Sequence, residues 1–139
     1  MIILDTNVVS EPLKPNPNPT VIAWLDQQVA QSLFLTSTSL SELNLGVDRL
    51  PEGKRKQALT AKLDALLQRL FLGRILAFDE PAARACASLV GGARRAGQSI
   101  SVADGQIAAI ATIHRFAVAT RDIAPFVAMG VSVINPWAA

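Results

Sequence analysis

The chain has 139 residues, half of them hydrophobic and 17% charged, with a formal net charge of +2. That composition excludes a disordered tail and supplies a sizeable core for one domain spanning residues 1–139. No apolar run approaches the roughly 18 residues of a membrane span, and no basic residue precedes the short apolar N-terminus as in a signal peptide, so a cytoplasmic protein is expected.

The elements follow in order along the chain. "IIL" (2–4) is a short buried strand that runs straight into Asp5. "PLKPNPNPT" (12–20) holds four prolines in nine residues and is a loop. "TVIAWLDQQVA" (20–30) spaces Val21, Trp24, Leu25 and Val29 as a helix, and "LFLT" (33–36) is a second strand. "SLSELNLGVDRL" (39–50) places Leu40, Leu43 and Val47 on one helical face and ends at Pro51. "GKRKQALTAKLDALLQRLF" (53–71) is an amphipathic helix with leucines at 59, 63, 66, 67 and 70. "RILAF" (74–78) is a third strand. Asp79 and Pro81 then start a helix expected to reach about Gly97, with a possible break at Gly91-Gly92. "SVADGQIAAIATIH" (101–114) is a helix, "FAVAT" (116–120) a fourth strand, "APFVAM" (124–129) a short helix and "VSVIN" (131–135) a last strand.

Strands alternate with helices, and the strands are apolar on both faces. The expected fold class is therefore α/β, with a central parallel sheet of about four to five strands flanked by helices on both faces. Ligands of such sheets gather beyond the carboxyl ends of the strands. Asp5 follows the first strand, Glu42 lies near the start of the helix after the second, and Asp122 follows the fourth. Asp104 lies in the first turn of the helix that feeds the fourth strand.

Each acid has a structural alternative. Asp5 can cap the turn "DTNVVSE", and Asp122 the short helix after it. Ser39 and Glu42, like Ser101 and Asp104, have the spacing of a capping box, and an acid in a first helical turn suits the dipole. Four independent caps, however, need not share one edge of a sheet. Two carboxylates about 4 Å apart repel by roughly 4 kcal/mol at an effective dielectric near 20, so such a cluster implies a cation among its members. A lone cysteine, Cys86, and a lone histidine, His114, exclude a Cys/His zinc site, so any metal is held by oxygen. Oxygen-only ligands favour Mg²⁺ or Mn²⁺, and the chemistry those ions support is phosphate-ester or phosphodiester hydrolysis. Residues 49–74 carry seven basic against two acidic side chains, a local +5 beside a body of net −3. That segment is either a solvated helix face or a surface for a polyanion. Cys86 and Trp24 are expected to pack inside, His114 at the surface and Trp137 against the last strand.

The stretches "ILDTNVVSE" (3–11), "SLSELNLGV" (39–47), "GRILAFDEPAA" (73–83), "ISVADGQIAAIA" (100–111), "VATRD" (118–122) and "VINPW" (133–137) occur in family order over nearly the whole chain. In these the sequence resembles the PIN-domain ribonucleases, specifically the VapC/FitB class of toxins from toxin–antitoxin pairs. The resemblance implies a PIN-like fold and a metal-dependent endoribonuclease that hydrolyses RNA phosphodiester bonds, leaving 5′-phosphate and 3′-hydroxyl ends. It places the catalytic and Mg²⁺- or Mn²⁺-binding acids on Asp5, Glu42, Asp104 and Asp122, with Thr6, Asn7 and Thr120 supporting them. It further implies a homodimer, inhibition by a cognate antitoxin, and contact with operator DNA only through that antitoxin. The helix pair over 39–71 is the expected antitoxin clamp, with Leu63 and Leu66 either in that contact or in the core.

Two other readings of the N-terminal strand and turn fit less well. A haloacid-dehalogenase-like phosphatase needs a second acid where Asn7 stands, and a Rossmann cofactor binder needs glycines absent from "LDTNVVSE". "VGGARRAG" lacks the Gly-Lys-Ser/Thr of a phosphate loop. The competing function is a binding module that, with its antitoxin, forms a DNA-bound autoregulatory complex with little nuclease activity.

Overall fold

The structure is a computed structural model that describes all residues, 1–139. Five parallel strands form the centre: β1 (Ile2–Leu4), β2 (Leu33–Thr36), β3 (Ile75–Leu76), β4 (Ala117–Ala119) and β5 (Val133–Ile134). Their order is β3-β2-β1-β4-β5. β1 is therefore central, with Ile2 and Ile3 beside Leu33 and Phe34 on one side and Ala117 and Val118 on the other. From β1 the chain winds outward through β2 and β3, then returns to the opposite side of β1 for β4 and β5. This reversal opens a crevice between the carboxyl ends of β1 and β4, the place where such sheets bind ligands.

Seven helices cover the sheet: α1 (Thr6–Ser10), α2 (Pro19–Asp26), α3 (Ser37–Asp48), α4 (Lys54–Phe71), α5 (Glu80–Arg95), α6 (Val102–His114) and α7 (Ala124–Ala128). Two hydrophobic cores divide them by face. Val8, Val21, Leu25, Leu43, Leu63, Leu66 and Phe71 from α1–α4 pack with Leu4, Leu33 and Leu35. Ala82, Ala93, Ile107, Ile110 and Phe126 from α5–α7 pack with Ile3 and Val118. Adjacent strand residues thus feed opposite cores, as period-2 alternation requires. Each fully buried large side chain here contributes about 1.5–3 kcal/mol. Leu63 and Leu66 belong to this core, which settles their role against a surface contact.

The expected elements are all present, with shifted limits. β3 and β5 shrink to two residues each, because only those pair with a neighbour. The Pro-rich loop begins with a 3-10 turn over Glu11–Leu13 and gives way to α2 at Pro19, where Asn18 accepts hydrogen bonds from the N–H groups of Thr20 and Val21. α2 stops at Asp26, and a second 3-10 turn covers Ala30–Ser32. α5 passes through Gly91 and Gly92 without a break. Two helical glycines cost about 1 kcal/mol each, and α5 remains continuous through them. A Cβ on Gly105 of α6 would lie 2.5 Å from the Val90 side chain of α5. α5 closes with a double bond, Gln98 N–H to the Ala93 carbonyl and Gly97 N–H to that of Arg94, which needs the positive φ of Gly97. Arg115 makes the same closure of α6 without being glycine, at φ 58°, and turns the chain directly into β4. Cys86 and Trp24 are half-buried, and His114 is exposed.

Candidate active site

β1 ends in Asp5, which caps α1: its Oδ1 accepts the Thr6 N–H at 2.8 Å. The capping role and the site role thus coexist in one carboxylate, since Oδ2 points across the crevice to β4. There the Thr120 hydroxyl donates to it at 2.8 Å. Thr120 is completely buried, and its oxygen accepts in turn from Asn7 Nδ2 at 3.3 Å and from the Asp122 N–H at 3.2 Å. Asn7 Oδ1 accepts the Arg121 N–H at 3.3 Å. One hydroxyl therefore ties the end of β1, the start of α1 and the turn after β4 into one frame.

Glu42 departs from the capping-box expectation. α3 starts earlier than the spacing of Ser39 and Glu42 suggests, and Thr36 caps it by accepting the Ser39 N–H at 3.1 Å. Ser39 is buried with no partner for its hydroxyl. Glu42, on the exposed side of the second turn, accepts from Thr6 Oγ1 at 2.8 Å. Asp104 does sit in a cap: Ser101 accepts its N–H at 3.1 Å. Its carboxyl is half-buried at the start of α6. Asp122 does not cap α7, which begins at Ala124 with Ile123 as its N-cap residue and no side-chain cap. All seven residues singled out in the sequence thus lie at the carboxyl edge around the β1–β4 crevice.

The electrostatics bind the four acids together. Burial pushes the Asp5 carboxyl from 3.8 up to about 6, against the hydrogen bonds from Thr120 and Thr6 that pull it down, while the charges of Asp104 and Glu42 push it further up. Asp104 is likewise raised, first by burial, then by Asp122 and Glu42, with the Ser101 hydroxyl opposing. Each of the four therefore acts on another across the crevice. No three acidic side chains are drawn close enough to grip one ion directly. Mg²⁺ keeps several waters and takes few carboxylates directly, so an Mg²⁺ site does not require three carboxylates on one ion. The donor set, oxygen alone around a half-desolvated acid, fits a hard divalent cation.

The basic segment is only partly free. Arg74 is spent on the carbonyls of Leu33 and Leu70, at 3.0 and 2.6 Å, and Lys56 on Glu52 at 2.7 Å. Arg55 lines a groove of about 400 Å³ that leads away from Thr6 and Glu42 between α3, α4 and the Pro-rich loop. One acid escaped the sequence reading. Glu11 is 4% exposed, accepts the Asn18 N–H at 2.9 Å and pairs with Lys14 at 2.9 Å. It pins both ends of the Pro-rich loop to α1, and the bonds from Lys14 and Asn18 hold its carboxyl below the usual range. Its only sequence signal is an acid preceding Pro12.

A model of the PIN domain matches residues 2–130. The chain is 48% identical to Toxin FitB of Neisseria gonorrhoeae, over 99% of both chains. It is 44% identical to VapC ribonuclease Y4jK of Sinorhizobium fredii, over 99% of this chain and 98% of the other. A solved structure of FitAB bound to an IR36 DNA fragment superposes with a TM-score of 0.94 at 47% identity, over 99% of this chain and 96% of that one.

Proposed function

The chain belongs to the PIN-domain family, and from that premise we propose that it is a single-domain, metal-dependent endoribonuclease, the toxin of a toxin–antitoxin pair. The observation that carries the activity is the convergence of Asp5, Glu42, Asp104 and Asp122 on the β1–β4 crevice, with Asp5 raised to about 6 by burial and by its acidic neighbours. A buried carboxylate among like charges is unfavourable on its own and becomes favourable when a cation joins it.

When bound, Mg²⁺ or Mn²⁺ supplies positive charge to the phosphoryl oxygens and acidifies water. The residues of the chain do the rest. Asp5, held at both oxygens by Thr6 N–H and the Thr120 hydroxyl, has a fixed orientation. Thr6 fixes Glu42 in the same way. Asp104 and Asp122 close the opposite rim and leave the crevice open to a strand of RNA. Thr120 and Asn7 act by positioning Asp5 and the 121–122 turn.

The partners follow from the relatives. A cognate antitoxin would silence the site and carry the complex onto operator DNA; the related FitAB complex is solved bound to an IR36 DNA fragment. The chain itself would act as a homodimer, and the exposed sides of α3 and α4 are the antitoxin surface. No helix is long and apolar enough to cross a membrane. The DNA-bound relative also favours the second reading, a binding module with little nuclease activity. Expression without antitoxin separates the two: the nuclease arrests growth and its Asp104→Asn variant does not, whereas a binding module leaves growth unchanged in both.

A further inference from the structure

The four acids create a difficulty for a nuclease: they repel the polyanion they are to cleave. A cation of the chain's own beside them would offset that repulsion; residues 49–74 lie on α4 and its flanks, whereas one arginine, Arg121, is next to an acid of the site in sequence. It lies between Thr120 and Asp122, and its peptide N–H is fixed by Asn7 Oδ1.

Its side chain has an unusual position for an arginine among acids. The molecule's ion pairs involve Lys14, Lys56 and Arg84, and none involves Arg121. Its guanidinium makes no hydrogen bond either and lies 5.3 Å from the centre of the Trp137 ring, within cation–π range. The topology produces this meeting. β4 and β5 run parallel with Ala119 beside Ile134, and Thr120 N–H bonds to the Ile134 carbonyl at 2.9 Å. Both strands leave the sheet at the same edge, so Arg121 and Trp137 emerge side by side. Asn135 then caps the 3-10 turn Pro136–Ala138 by accepting the Trp137 N–H at 3.0 Å, which sets the indole in place. Stacking uses the face of a guanidinium and leaves its N–H edges free. Trp137 thus holds Arg121 out of any direct ion pair, exposed and with its donors unspent, while its charge still reaches Glu11 and helps lower that carboxyl.

We propose that Arg121, parked on Trp137, binds a phosphate of the RNA strand next to the one that is cleaved. The proposal rests on the RNA-cleaving reading above and adds to it a binding residue outside the acidic set. The strand would cross the crevice with one phosphate at the acids and a neighbouring one at the Arg121 edge. A bidentate, charge-assisted contact of this kind fixes register as well as affinity.

The test is a titration of the full chain with a short fluorescent single-stranded oligoribonucleotide of mixed sequence, in chelator and over a range of salt, for wild type, Arg121→Gln and Arg121→Lys. Arg121 is exposed, so these variants leave both cores untouched. Loss of one phosphate contact lowers the slope of log affinity against log salt by about 0.7 for a single strand. The expected result is that drop in Arg121→Gln, with affinity about five- to tenfold weaker at moderate salt, and a wild-type slope in Arg121→Lys. A wild-type slope and affinity in Arg121→Gln would overturn the proposal. Cleavage by the wild type with Mn²⁺ is scored separately, so that a wild type that binds but does not cut would defeat the nuclease reading while the slope still decides on Arg121.

Discussion

Asp5 shows how much one residue can carry. It follows a strand, caps a helix and feels the charge of two other acids, Asp104 and Glu42. Its folded-state pKa of about 6 lies above the 3.8 of an unperturbed aspartate, so the native chain holds this proton more tightly than the unfolded one. Its contribution to stability is therefore complete below about pH 4 and is lost as pH rises through 6, a fall of about 3 kcal/mol at the scale of 1.36 kcal/mol per unit. Asp104 acts in the same direction. Denaturation curves of metal-free protein should show this decline between pH 4 and 6, and Asp5→Asn should flatten it; an equal decline in that variant would contradict the assignment. Thr120→Val keeps the shape but removes the bond that lowers the Asp5 pKa and leaves Asn7 Nδ2 and the Asp122 N–H without their acceptor. The loss is about 1–3 kcal/mol of stability. The acid limb of the kcat/KM profile should move to higher pH, and an unmoved limb would show that Thr120 does not tune Asp5. The strand end marked Asp5 and a helix start marked Asp104, whereas Thr120 and Asn7 were indicated only by the family resemblance. Their bonds were not, because a hydroxyl that serves three partners from two strands leaves no periodic signal.

At the scale of elements, the sequence reveals helices and strands better than their limits. Apolar runs bounded by Pro, Gly and capping residues mark β1, β2, α4 and α6 closely. β3 and β5 are shorter than their apolar runs because strand length is set by what the neighbour can pair with. Ser39 and Glu42 have capping-box spacing, yet Thr36 takes the cap, because the end of β2 fixes where α3 can begin. Glu42 is thereby released to Thr6. The helix pair α5–α6 carries a further dependence. Gly105 follows Asp104 and is the point where α6 touches Val90 and Cys86 of α5. Gly105→Ala forces the branched Val90 aside and should cost about 1–3 kcal/mol, read as a lower Tm, despite the better helix propensity of alanine. A higher Tm would mean that the two helices separate freely, and Asp104 would then lack a fixed seat.

The whole molecule explains why these parts meet. A parallel sheet that winds out from β1 in both directions has one crevice at its carboxyl edge, and both aspartates whose pKa is raised, Asp5 and Asp104, stand around it. The alternation of short apolar strands with helices made that architecture readable in advance, and the order of the strands is what turns four scattered acids into one site. Glu11 and Arg121 were not readable in this way, since each takes its meaning from a partner distant in sequence or from a loop that folds back. The account stands or falls on the site's chemistry. The most direct measurement is cleavage of total cellular RNA by purified, antitoxin-free protein with Mg²⁺, with Mn²⁺ and with chelator, beside Asp5→Asn. The account predicts discrete fragments that require the metal and vanish, by a factor of about 10² or more, in the variant. Intact RNA in every lane with a folded, monodisperse protein, or cleavage that persists in chelator or in Asp5→Asn, would contradict it.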